Sequence, residues 1–178
     1  MATPNGLNRY DGFNFVVYKN IRSDSTSLPA NVVQTIFEDH NKNLLIGTEH
    51  GLCLYVREND CFFNYMFEKT SPLRGLDCGV AKITEDASGN LWLATNIGLI
   101  YFDRTNNLVK QYSYEADKPE SLSNNDVQSV LIDKTKRLWV ATRNGLNLFI
   151  PANNQFMHIH NDLTYNEDLS NTIFLDMA

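Results

Sequence analysis

The sequence has no apolar run near 18 residues, so nothing in it is long enough to cross a membrane as a helix. It opens without the basic step and apolar stretch of a secretory signal, which places any such signal outside this chain. Basic residues are not in excess: 15 Lys and Arg stand against 21 Asp and Glu, a net charge of −6, and the cations are scattered. That balance argues against nucleic acid and against an anionic membrane surface as partners of this region, since both need a basic patch. Three cysteines, Cys53, Cys61 and Cys78, are too few for a disulfide scaffold. Cys-x-x-Cys, His-Glu-x-x-His, Gly-x-Ser-x-Gly and a phosphate-cradling glycine loop are all missing, so neither a catalytic centre nor a cofactor or metal site is expected. No window offers a helical period capped at both ends.

What is present is a repeat. The steps Thr48-Glu49-His50-Gly51-Leu52, Thr95-Asn96-Ile97-Gly98-Leu99 and Thr142-Arg143-Asn144-Gly145-Leu146 recur at an interval of 47 residues. Asp39, Asp86 and Asp133 keep that interval, as do Leu44, Leu91 and Leu138, and Tyr65 and Tyr112. Such a period marks a solenoid, a propeller or an array, in which one unit cannot bury its apolar face alone. The repeat overruns both ends. Thr3 to Tyr18 reads as the third and fourth strands of an earlier unit, and Leu169-Ser170-Asn171 matches Leu122-Ser123-Asn124. The sequence thus reads as a piece of a longer array, with Met1 and Ala2 ahead of its natural residues.

Each unit contains four short apolar segments separated by turn residues. The first is Val33 to Phe37, repeated from Val80 and from Val127. The second, Leu44 to Thr48, Leu91 to Thr95 and Leu138 to Thr142, is apolar on both faces, as suits a strand covered on each side. The third follows each glycine, and the fourth ends near Tyr65, Tyr112 and Ile159. Four strands per 40 to 50 residues is the arithmetic of a propeller blade. The expected fold is all-β, a β-propeller fragment of about three complete four-stranded blades (19–65, 66–112 and 113–159) with partial blades at 1–18 and 160–178.

The string Leu122-Ser123-Asn124-Asn125-Asp126-Val127-Gln128-Ser129-Val130, then Asp133, then Leu138 to Phe149, closely resembles the two-component regulator propeller repeat. The resemblance implies part of the periplasmic sensor region of a hybrid two-component protein anchored in the inner membrane. Such a protein would bind an oligosaccharide or polysaccharide fragment and signal to a cytoplasmic histidine kinase and transcription regulator, with membrane contact only through other parts of the parent. A propeller scaffold for protein partners or receptor dimerisation is the alternative, and a propeller lyase or glycosidase a third reading.

Several residues admit two readings. Asp39, Asp86 and Asp133 suit turns in which a carboxylate accepts backbone N–H groups two residues on; Gly89 supplies a residue free to take positive φ in one of them. The neighbours Glu38-Asp39 and Glu85-Asp86 do not suit paired acid catalysis, because adjacent strand residues point to opposite faces. Trp92 and Trp139 read as core between blades, Tyr65 and Tyr112 as packing, and Tyr10 and Tyr114 as exposed aromatics. His40, His50, His158 and His160 form no convincing metal set. The cysteines read as buried thiols, with a disulfide between Cys53 and Cys61 left open.

In an antiparallel blade, the loop leading into the first strand and the loop joining the second and third lie at the same end. That selects Asn31, Asn125 and Thr172 before first strands, and His50, Asn96, Arg143 and Asn144 in the Thr-x-x-Gly loops, as ligand-binding candidates. The middle unit has Arg74-Gly75 where its siblings have Ser27-Leu28 and Ser121-Leu122; retention for binding and drift both explain this. Arg74 and Arg143 are the leading planar donors. Open strand edges and uncovered faces, including those around Phe174, make a homo-oligomer the expected state.

Overall fold

A computed structural model describes residues 1–66 and 69–159. The expected start of a further blade at 160–178, with His160, Thr172 and Phe174, lies outside these residues. Three four-stranded antiparallel sheets and one three-stranded sheet follow one another along the chain. Strands β1 (Ala2–Thr3), β2 (Gly6–Tyr10) and β3 (Phe15–Tyr18) form the first. Strands β4 (Val33–Glu38), β5 (Leu44–Thr48), β6 (Gly51–Val56) and β7 (Cys61–Asn64) form the second. The third comprises β8 (Val80–Glu85), β9 (Leu91–Thr95), β10 (Gly98–Asp103) and β11 (Leu108–Tyr112). The fourth comprises β12 (Val127–Ile132), β13 (Leu138–Thr142), β14 (Gly145–Ile150) and β15 (Gln155–Ile159). Neighbours in sequence are neighbours in each sheet, the meander of a propeller blade. The N-terminal unit has one strand more than its sequence suggested. Ala2 and Thr3, set ahead of or at the start of the repeat, pair with Leu7 and Gly6.

The repeated residues account for the repeated geometry. Thr48, Thr95 and Thr142 each donate a hydroxyl bond to the carbonyl of the glycine three residues on, at 3.1, 2.6 and 3.2 Å, and accept the N–H of the residue between. Gly98 itself takes φ +121°, and a Cβ there would lie 2.2 Å from the Tyr112 carbonyl oxygen, so a side chain is excluded twice over. The aspartate turns form as expected: Asp39 Oδ1 accepts from Asn41 and Asn43 N–H, Asp86 from Ser88 and Asn90, and Asp133 from Thr135 and Arg137. Gly89 has positive φ, and Lys42 and Lys136 take the same conformation at the equivalent positions. Each first strand carries a register shift at its start, between Val33 and Thr35, Val80 and Lys82, and Val127 and Ser129.

The core lies between sheets. Leu45, Leu52 and Met66 of the second sheet and its outgoing loop pack with Val80, Ile83, Leu91, Leu93 and Phe102 of the third. Trp92, Ala94 and Leu99 of the third pack with Val127, Val130, Val140 and Phe149 of the fourth. Alternate residues of β5 and β9 therefore serve opposite boundaries, which is why these segments are apolar on both faces. Trp92 is 8% exposed with its ring 5.2 Å from Phe149, so it is a wedge between blades. Close approach needs a small residue in the second strand: a Cβ on Gly47 would meet the Val80 carbonyl oxygen at 2.5 Å.

Candidate functional site

The register places Val33 opposite Thr48 and Thr48 opposite Gly51, so the loop leading into β4 and the β5–β6 turn share one end of the sheet. The third and fourth sheets repeat this. The candidate mouth is thus a row of equivalent loops, each stapled to its neighbours through the side chains singled out in the sequence. Asn31 Oδ1 accepts the Asn20 N–H at 2.8 Å, and Asn125 Oδ1 accepts the Tyr114 N–H at 2.7 Å. Both tether the connection that arrives from the preceding sheet. Asn96 Oδ1 accepts the Gly79 N–H at 3.0 Å, and Asn144 Nδ2 donates to the Ser123 carbonyl at 3.3 Å.

The charged candidates divide. Arg143 is exposed; its Nε lies 2.9 Å from Asp126 Oδ2, and its N–H donates to the Asp126 carbonyl at 2.9 Å. His50 Nδ1 sits 2.9 Å from Asp77 Oδ1 of the loop leading into β8. Arg74 is exposed and makes no ion pair among the described residues, which leaves it the most available cation of the set. Its loop conserves one structural function despite its changed sequence: Leu73 is fully buried, as Leu28 and Leu122 are in the sibling loops, while Gly75 is open to solvent and has φ +79°.

At the opposite end of the sheets lies a network that spacing within one unit did not reveal. Arg104 follows β10 and reaches both Asp39 of the second sheet, at 2.6 Å, and Glu85 of its own. Its Nε donates to the Gly89 carbonyl at 2.6 Å, and Glu85 also accepts the His40 N–H at 2.9 Å. Burial works against the Asp39 charge, but the Arg104 guanidinium and two bonds from Asn43 outweigh it and hold the carboxyl below its usual range. Two carboxylates from neighbouring blades thus share one cation, an electrostatic clamp rather than a proton-transfer pair. A sequence signal existed: Arg57 and Glu38 stand 47 residues before Arg104 and Glu85 and lie 3.9 Å apart.

A second repeated feature lies on the rim. Asp60, Asn107 and Asn154, again 47 apart, all have positive φ in the turn between third and fourth strands. Asp60 accepts from Tyr18, Tyr55 and Arg9. Asn107 donates to the Thr70 carbonyl at 3.2 Å, and Asn154 accepts from Tyr112 at 3.0 Å. The turn of each blade is thereby pinned to its predecessor. The remaining candidates follow suit. His158 Nε2 lies 2.8 Å from the Ser121 carbonyl, Tyr10 and Tyr114 are half exposed, and all three cysteines are free, with Cys53 and Cys78 buried and Cys61 partly so.

Residues 27–50 and 121–144 match the family described as two component regulator propeller, both stretches beginning at the Ser-Leu step that the middle unit lacks. These stretches are two-component regulator propeller repeats. No curated relative matches the sequence. Among solved structures, the chain is similar to the extracellular domain assigned to the hybrid two component system BT4673 of B. thetaiotaomicron. The TM-score is 0.71 at 22% identity over 91% of this chain and 21% of that one. It is similar as well to the corresponding domain of BT3049 from the same organism, with TM-score 0.67 and 24% identity over 86% of this chain and 20% of that one. PorZ, a surface component of the type-IX secretion system of Porphyromonas gingivalis, matches with TM-score 0.57 and 17% identity over 76% of this chain and 20% of that one. The chain therefore spans about a fifth of the length of the structures it matches, and at these identities the likeness carries the propeller fold.

Proposed function

We propose that this chain, a run of two-component regulator propeller repeats, is part of the extracytoplasmic sensor region of a hybrid two-component protein. It binds a glycan-derived ligand without turning it over, and the parent passes the signal to a cytoplasmic histidine kinase and transcription regulator. The observation that carries this reading is the repeat match at 27–50 and 121–144 of this chain, beside a fold shared with extracellular domains assigned to such systems. The loops at the mouth support it, since a rigid frame there presents Arg143 and Asn144 side by side in one turn and Asn96 and His50 in its siblings. Calorimetry of the intact extracytoplasmic region against fragments of many polysaccharides tests it. Saturable heat with one class and no product on prolonged incubation is expected. Silence toward polysaccharides that induce the parent's operon would overturn direct sensing.

A scaffold reading is favoured by a different observation. Asn31, Asn96 and Asn125 spend their side-chain oxygens on backbone within the array, while Tyr10, Phe13 and Phe15 are 56%, 92% and 62% exposed on the first sheet. Dimerisation of the sensor region through these residues, with ligand bound elsewhere, would establish it. The same fold in a secretion component shows that a propeller alone does not choose between the two.

A further inference from the structure

Between the outer strands of the third and fourth sheets, away from the mouth, a cavity of about 300 Å³ opens on the rim. Its size is at the lower end of small-ligand sites, which run from about 300 to 1,000 Å³. Tyr112 and Phe156 form its apolar floor, their rings edge to face at 5.5 Å. Strand β11, the connection from Ser113 to Ser121, and the turn holding Asn154 form its walls.

The charge of the lining cancels. Lys118 is paired with Glu115 at 2.5 Å, and Lys110 Nζ is fixed between Asn154 Oδ1, at 2.7 Å, and the face of Tyr112, at 4.6 Å from its centroid. The one lining carboxylate left over, Glu120, takes no bond from the described residues. Asn154 Oδ1 already accepts from both Lys110 and Tyr112, so its Nδ2 is the group with capacity to spare. Gln111 turns to the other face of β11, where its Nε2 donates to the Ile97 carbonyl at 2.6 Å. The Asn154 donor and the Glu120 acceptor thus border a water-sized to ring-sized space whose lining carries no net charge. At the first boundary the equivalent position is closed, because Asp60 is gripped by Tyr18, Tyr55 and Arg9.

We propose that this rim cavity between β11 and β15 is a binding subsite for a neutral, hydroxyl-rich ligand of one or two rings, a monosaccharide or disaccharide. A vicinal diol supplies both a donor for Glu120 and an acceptor for Asn154 Nδ2, whereas an anion meets Glu120 and a cation meets Lys110. Lys110 covers the Tyr112 face, so recognition runs through hydrogen bonds rather than ring stacking, and the affinity is modest. The proposal rests on the reading of the chain as part of a glycan sensor and adds a lateral subsite to it.

The test is amide NMR of this chain titrated with D-glucose, D-galactose, maltose and cellobiose, alongside gluconate and glucosamine as charged analogues. Neutral sugars are expected to shift the side-chain amide of Asn154 and the backbone of Ser113 and Ser121. Glu120→Ala should weaken the binding of the best sugar about tenfold, the effect of one lost hydrogen bond. Ser113→Trp, which fills the space, should abolish it, with thermal melts confirming that each variant folds. Shifts confined to the mouth loops at Asn96 and Asn144 would overturn the rim subsite and leave the sensor reading intact. Stronger binding of gluconate or glucosamine would overturn the neutral class, and no shift with any sugar would overturn the subsite altogether. The sensor reading fails separately, by silence of the intact extracytoplasmic region toward polysaccharide fragments while this cavity still binds simple sugars.

Discussion

The Arg104 guanidinium and the Asp39 carboxylate meet at 2.6 Å across the boundary between the second and third sheets, 65 residues apart in sequence, with the Asp39 side chain wholly screened from solvent. Removing one member of a screened pair leaves the other charge uncompensated, at a cost of about 3–5 kcal/mol when both are buried. Arg104 keeps some exposure, so Arg104→Met is expected to cost about 3 kcal/mol, read from the denaturation midpoint in urea.

The same pair fixes an acid dependence. The folded-state pKa of Asp39 is depressed, so its stabilisation is full above the unfolded value of about 4 and is lost as pH falls through the lower folded value. Asp133 adds to this in the same sense. Burial opposes its charge, but bonds from Trp139 Nε1, Thr135 and Arg137 hold its carboxyl well below the usual range. Melting temperature should drop on acidification below about pH 4, and Asp39→Asn should flatten part of that slope while lowering stability at pH 7. An unchanged slope in the variant would remove Asp39 from the account.

Gly47 has alanine at its equivalents, Ala94 and Ala141, yet Gly47→Ala is expected to destabilise. Its Cβ would lie 2.5 Å from the Val80 carbonyl oxygen and 2.6 Å from Thr35 Cγ2, and backbone cannot turn away as a side chain can. Overpacking of this kind costs about 1–3 kcal/mol. Equal stability by chemical denaturation would mean that β8 shifts freely.

Thiol titration should separate the cysteines. Burial pushes the Cys53 thiol far up, and burial with the neighbouring Asp77 charge raises Cys78 to about 11. A neutral-pH disulfide reagent should therefore modify Cys61 rapidly in the folded chain and the other two only on unfolding. Fast modification of Cys53 would show that the second sheet opens.

Self-association is expected to run through the first sheet. Tyr10 stands four residues after its hairpin glycine, as Tyr55, Phe102 and Phe149 do, and Phe149 packs on Trp92 of the preceding sheet. Tyr10 and Phe15, stacked at 4.7 Å, are thus half of a blade boundary whose other half is solvent. Light scattering should report oligomers at micromolar concentration, and Phe15→Glu should shift them toward monomer. A wild-type chain that stays monomeric would overturn this.

The blade pattern was legible because it is local. A threonine that caps its own turn, a glycine forced to positive φ, an aspartate that accepts nearby N–H groups and an apolar second strand all act within one unit and recur every 47 residues. The wedge at Trp92 was legible for the same reason: a strand apolar on both faces has only neighbouring sheets to bury against. The functions of Asn31 and Asn125 were not, since each bonds a backbone group on the connection arriving from the preceding sheet, and Asn96 bonds Gly79 only through the β8–β9 pairing of its own sheet. The Arg104 clamp and the rim cavity lie further still from sequence. Both are made of side chains from two different sheets, and which ones meet depends on how closely Gly47 and Ala94 let successive blades approach. Local chemistry wrote the repeat, and the distance and angle between its copies decided where charge is buried and where a cavity is left open.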